Sequence, residues 1–251
     1  MNCLLETSCL TKTFGRGTTT QTAVEDVSIH VERGRVYGLL GPNGAGKSTC
    51  LKMITGMLRP TSGEIRFDGH PWRREDLYDI GSLIETPALY PNLTAYENMR
   101  VRAALVGADE ERIDDVLRTV NLSHVETKRA GSFSLGMKQR LGIALALLGN
   151  PKLIVLDEPA NGLDPIGIEE LRAQIRSFAD NGTTVIVSSH ILAEVEHVAD
   201  RVGIIVEGKL AFEDDLHRGI DLESLFMSVC RNAHKQNAHS FMTMTKNGDV
   251  R

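Results

Sequence analysis

The segment Gly41-Pro-Asn-Gly-Ala-Gly-Lys-Ser-Thr49 constrains this 251-residue chain more than any other. It satisfies the spacing GxxxxGK[ST], in which a glycine-rich loop turns its backbone amides inward around phosphate oxygens. Glycines permit the dihedrals this requires and the close approach of an anion. The helix that follows points its partly positive N-terminus at the same charge. Within the loop, Lys47 would neutralise the outer phosphates and the Ser48 hydroxyl would ligate Mg²⁺. A glycine turn that merely caps a helix is the bland alternative. Against it stand the apolar run Arg35–Leu40 before the loop and the helical pattern over Lys47–Leu58 after it. The cradle is therefore assigned to Gly41, Pro42, Asn43, Gly44, Ala45, Gly46, Lys47, Ser48 and Thr49.

Three further apolar runs end in chemistry. Ile80–Ile84 runs into Glu85, Lys152–Leu156 into Asp157 and Glu158, and Thr183–Ser189 into His190. Short Val/Ile/Leu runs without polar alternation read as strands buried on both faces, as in a parallel sheet covered by helices. Ligands of such sheets bind beyond the carboxyl ends of the strands, so four distant segments converge on one site. Adjacent strand residues point to opposite faces, so the two acids need not share a role. Asp157 fits a group that holds Mg²⁺, and Glu158 one that orients or deprotonates the attacking water.

Helix signals lie between these runs. Thr94-Ala-Tyr-Glu97 is a capping box opening a helix to about Val106, Asp109 caps another through about Val120, and Ser134 precedes an apolar helix ending near Gly149-Asn150-Pro151. Asp164-Pro165 starts a helix that Asn181-Gly182 closes. Leu4–Phe14, Ala23–Glu32 and Gly63–Phe67 read as an antiparallel piece, and residues 86–149 as a helical insertion in the α/β core. Residues 226–251 are read as a polar tail with no assigned element, open to disorder.

Composition narrows the function. With 41% hydrophobic and 24% charged residues the chain is globular, and its net charge of −5 gives no basic face for nucleic acid. The longest apolar run, Leu141–Leu148, falls far short of the ~18–20 residues that span a bilayer. The four cysteines show no metal spacing, and the amino terminus makes a poor secretory signal, so a cytosolic location is expected.

Over about residues 4–220 the chain resembles the ATP-binding subunits of ATP-binding cassette (ABC) transporters. The resemblance rests on motifs in the family's order: Gly41–Thr49, Leu153-Ile-Val-Leu-Asp-Glu-Pro159, Asn161-Gly-Leu-Asp164, His190, and between them Phe133-Ser-Leu-Gly-Met137 in the place of the signature LSGGQ. It implies a nucleotide-binding domain over residues 1–225, with a P-loop core, a parallel sheet, an antiparallel β piece and the helical subdomain at about 86–149. It implies ATP and Mg²⁺ as ligands and a homodimer, closed by ATP, in which each P-loop faces the partner's signature. A separate transmembrane permease would bring the chain to the inner face of the cell membrane.

Site roles follow from the same resemblance. Glu158 and His190 would act on the attacking water, Ser134, Gly136 and Met137 would contact the γ-phosphate from the partner, Asp164 belongs to the loop beside them, and Phe14 would stack on adenine. Leu135 and Met137 depart from the signature, and Met137 removes a polar contact. Glu85 departs further, standing where the family has glutamine; a carboxylate is a natural Mg²⁺ ligand, and this loop touches the membrane subunit in the family. With Ile84-Glu-Thr-Pro-Ala-Leu-Tyr-Pro91, these departures resemble the ATPase subunits of lantibiotic-immunity and bacitracin-resistance exporters. A DNA-repair or chromosome ATPase would need a coiled-coil insertion or basic surface, and a translation-associated cassette protein would normally carry two P-loops. A nucleotide-binding regulatory module with little turnover is suggested only by the weakened signature.

Overall fold

A computed structural model describes residues 3–15, 17–125, 127–217 and 219–246. The amino-terminal sheet contains β1 (Cys3–Phe14), β2 (Gln21–Val27), β3 (His30–Glu32), β5 (Ser62–Phe67) and β6 (His70–Pro71). Its order is β2-β1-β5-β6, with β3 also paired to β1, and every pairing is antiparallel. The expected single strand over Ala23–Glu32 is thus two. The Thr7 hydroxyl sits in the break, donating to the Val27 carbonyl at 2.9 Å and accepting from the Ile29 amide at 3.0 Å, so both backbone groups are satisfied without a ladder.

The second sheet contains β4 (Val36–Leu40), β7 (Ile80–Leu83), β8 (Leu153–Asp157), β9 (Thr184–Ser189), β10 (Arg201–Val206) and β11 (Lys209–Asp215), in the order β11-β10-β4-β9-β8-β7. All pairs are parallel except β10–β11. Alternate residues feed different cores, as the period of two requires. Val155 and Ile186 pack under the amino-terminal sheet with Leu5, Leu39 and α1 (Lys47–Ile54). Ile154, Leu156, Val185 and Val187 face the helices on the other side. Burial on both faces is what the unalternating apolar runs predict.

Between β7 and β8 lie α2 (Ala95–Val106), α3 (Glu110–Thr119) and α4 (Leu135–Leu147), with no strand among the described residues. The Thr94–Glu97 capping box forms, with Thr94 Oγ1 accepting from the Glu97 amide at 3.2 Å and Glu97 Oε2 from the Thr94 amide at 2.7 Å. Asp109 and Ser134 cap α3 and α4, and Asp164 caps α5 (Pro165–Asp180). The expected helix Lys47–Leu58 stops at Ile54, where Gly56 turns to φ +69°.

The carboxyl end differs from the expectation. After α6 (Leu192–Glu196), helix α7 spans Leu222–Lys246, where the sequence reading assigned no element from residue 226 on. Leu222, Leu225, Phe226, Val229, Cys230 and Ala233 recur at helical spacing and pack against Leu40, Val195, Val202 and Ile204. Residues 247–251 of that tail lie outside the described residues. Among the described residues, no helix is long and apolar enough to cross a membrane.

Candidate active site

The parallel strands end at one rim, and the loop after β4 wraps back over it. Two glycines there are required by neighbours. A Cβ on Gly41 would lie 2.3 Å from the Ile205 carbonyl oxygen, and one on Gly46, at φ +106°, 2.5 Å from the Ala23 carbonyl oxygen. Lys47 opens α1 and folds back, so that its Nζ donates to the Gly41 carbonyl at 2.8 Å. The result is a cleft of about 360 Å³ lined by Asn43, Gly44, Ala45, Gly46, Lys47, Ser48 and Thr49, and closed by Ala23, Glu158, Asn161 and His190. Gly41 and Pro42 do not line it; they shape the loop and hold Lys47 through their carbonyls.

Glu158 stands at the open side of the cleft. Its Oε2 lies 2.6 Å from His190 Nδ1 and its Oε1 3.4 Å from Lys47 Nζ. A carboxylate gripped from two sides beside a phosphate cradle is placed to accept a proton from water. Its backbone lies in the left-handed region, at φ +49°. That conformation costs an ordinary side chain roughly 1 kcal/mol or more and persists only where neighbours impose it. Here the Glu158 amide donates to the Ser188 carbonyl and hydroxyl, at 3.2 and 3.0 Å. Asp157 sits one residue deeper, only 2% exposed, with its Oδ1 accepting from the Ser188 hydroxyl at 2.5 Å.

Other expected residues lie elsewhere. Ser134, Gly136, Met137 and Asp164 line a second cleft of about 470 Å³, together with Arg140 and Glu170, and no residue lines both clefts. Ser134 Oγ accepts from the Met137 amide at 3.2 Å, and Asp164 Oδ1 from the Gly167 amide at 2.7 Å, so both act as helix caps. Glu85 does not line the phosphate cleft. At φ +60°, it places its Oε1 2.5 Å from Nζ of Lys52 on α1. Phe14 is also outside the cleft, 45% exposed, with Lys12 Nζ 5.3 Å from its ring centroid. Ala23 and Ser188 were not anticipated. Ala23 reaches the cleft only through the fold of the amino-terminal sheet, and Ser188 meets Asp157 only through the pairing of β8 with β9.

The described residues contain no group of three or more His, Cys, Asp or Glu able to hold a metal ion by themselves. Magnesium bound with a nucleotide takes one or two carboxylate or hydroxyl ligands plus phosphate oxygens, a demand that Ser48 and Asp157 fit.

Residues 24–161 match the family model described as ABC transporter. The chain is 49% identical to a lantibiotic transport ATP-binding protein, SrtF, of Streptococcus pyogenes, over 89% of this chain and 96% of that protein. It is also 49% identical to the bacitracin transport ATP-binding protein BcrA of Bacillus licheniformis, over 85% of this chain and 70% of the relative. Among solved structures, an ATP-binding subunit of an ABC transporter superposes with a TM-score of 0.79 at 33% identity, covering 90% of this chain and 99% of that one. The cassette MJ0796, solved as a dimer in a post-hydrolysis state bound to ADP and Pi, gives 0.79 at 27% identity, covering 85% and 99%.

Proposed function

Because the chain belongs to the ABC transporter family and is an ATP-binding, ATP-hydrolysing subunit of it, we propose that it powers a separate membrane permease exporting a peptide antibiotic of the lantibiotic or bacitracin kind. The observation that carries this reading is the match to a lantibiotic transport ATP-binding protein over nearly that protein's whole length, with the phosphate cleft intact. Association with the permease would hold the chain at the inner face of the cell membrane.

In this reading the phosphates of ATP enter the cradle at Asn43–Thr49, and Lys47 exchanges the Gly41 carbonyl for phosphate oxygens. Ser48 and Asp157 would hold magnesium together with the phosphates, and the ion would supply positive charge against the leaving group. Glu158 takes the proton of the attacking water, and His190, already against Glu158 Oε2, keeps that carboxylate aimed. The homodimer reading has Ser134 and Gly136 of a second copy meeting the nucleotide in this cleft, and it is supported by their lining a different cleft from Lys47 and Glu158. Met137 brings no polar side chain to that contact, and Phe14 supplies an exposed ring for adenine. Glu85 joins the P-loop helix to the segment entering the helical region through Lys52; a role in holding magnesium requires that pair to open. Coupling to the permease is assigned to this joint.

The test is survival. Cells co-expressing the chain with its membrane partner should withstand a lantibiotic or bacitracin, and lose that protection when Glu158→Gln replaces the natural residue. Equal survival with both forms against both classes of antibiotic would reject the proposal.

A further inference from the structure

Between the two acids at the end of β8 and the histidine after β9 lies a side chain that the mechanism above does not use. Ser188 is fully buried and pairs directly with Asp157 in the parallel ladder. Its hydroxyl has one proton and it gives that proton to Asp157 Oδ1, at 2.5 Å. The same oxygen accepts the Glu158 amide, at 3.0 Å. One atom therefore touches both acids, donating to the side chain of the first and accepting from the backbone of the second. Neither an ionised carboxylate nor an apolar group could replace it, because the position demands donor and acceptor at once.

We propose that Ser188 is a positioning residue that locks Asp157 and Glu158 into their working arrangement. The left-handed turn at Glu158 swings the carboxylate out of the strand line toward Lys47 and His190. Ser188 supplies two of the contacts that impose the turn, the hydroxyl and the carbonyl accepting the Glu158 amide. Without the hydroxyl, one contact is lost and the buried Oδ1 of Asp157 loses its donor, so both acids are freed to shift. The neighbouring Ser189 works away from the acids: its hydroxyl donates to Glu194 Oε2 at 2.8 Å and accepts from the Ile191 amide at 2.9 Å, fixing the turn that carries His190. The inference concerns hydrolysis and not the exported molecule, so it stands or falls independently of the peptide-antibiotic reading.

Three variants of the full chain test it, Ser188→Ala, Ser188→Thr and Ser188→Val, by steady-state ATP hydrolysis with thermal unfolding alongside. Threonine and valine have nearly the same shape, so most of any packing penalty is shared and their difference reports chiefly on the hydroxyl. The expected result is a kcat lowered about tenfold or more in the alanine and valine forms, the usual worth of one hydrogen bond to a charged group. KM for ATP should stay within about threefold and the threonine form within about threefold of the natural kcat, because the cradle is untouched and the hydroxyl retained. A natural kcat in Ser188→Ala, or a threonine form no better than the valine form, would overturn the proposal.

Discussion

Replacing Glu85 by glutamine removes a charge and little else, which makes it an informative perturbation of the joint with Lys52. The two atoms are 2.5 Å apart, but the side chains are 33% and 60% exposed for Lys52 and Glu85. A pair so open to solvent is worth only ~0.2–1 kcal/mol. Glutamine keeps the length of the side chain and its φ of +60°, so the backbone strain cancels between the two forms. Thermal unfolding should therefore shift by no more than about 4 °C, given about 2–4 °C per kcal/mol for a chain of this size. By the same energy, hydrolysis by the isolated chain should change less than about fivefold. Antibiotic protection by the assembled transporter should fall further than hydrolysis, because it requires the motion to cross this joint. The exchange Lys52→Glu with Glu85→Lys should recover part of that loss. A destabilisation above about 3 kcal/mol would refute the exposed-pair reasoning, and unchanged protection would remove Glu85 from coupling.

Three other outcomes follow from the packing. Gly46→Ala, which forces a Cβ against the Ala23 carbonyl at φ +106°, should weaken binding of an ATP analogue at least about tenfold, whereas Gly44→Ala, at φ +78° but with nothing within 4 Å of the new atom, should cost only the backbone strain of about 1–2 kcal/mol in stability and weaken binding less; equal effects in a titration would contradict the geometry. Changing Leu222, fully buried at the start of α7, to alanine should cost about 2–4 kcal/mol in denaturant unfolding, and a loss under about 0.5 kcal/mol would show that α7 does not pack there. Cys50 is fully buried and burial pushes its thiol up to about 12, so at pH 8 a thiol reagent should modify the exposed Cys9 first and reach Cys50 only on unfolding; early labelling of Cys50 would argue against the α1 packing.

What could be read from the sequence was what neighbouring residues decide among themselves. The phosphate loop, the Thr94–Glu97 box and the Ser134 and Asp164 caps each act within a short stretch of chain, and each forms in the structure. The β8 and β9 runs were legible because burial on both faces leaves a continuous apolar signature. Contacts made through strand register were not. Ser188 is 31 residues from Asp157 and Lys52 is 33 from Glu85, and nothing in either local segment points to the other. Helix α7 hid for a different reason: its stripe from Leu222 to Ala233 is interrupted by Glu223, Ser224, Met227, Ser228, Arg231 and Asn232, and the polar residues beyond it masked the period. Glu85 drew attention as a departure in residue type, while its partner emerged only from the fold.

The central claim is that the loop before α1 holds the phosphates of ATP against Glu158. Its most direct measurement is the structure of the chain with magnesium and a non-hydrolysable ATP analogue, paired with the analogue's affinity for the natural protein and for Lys47→Ala. The expected result is phosphate density among the amides of Asn43–Thr49, Lys47 Nζ moved from the Gly41 carbonyl onto phosphate, and affinity at least about tenfold weaker in the variant. Phosphates bound elsewhere, or an affinity indifferent to Lys47, would contradict it.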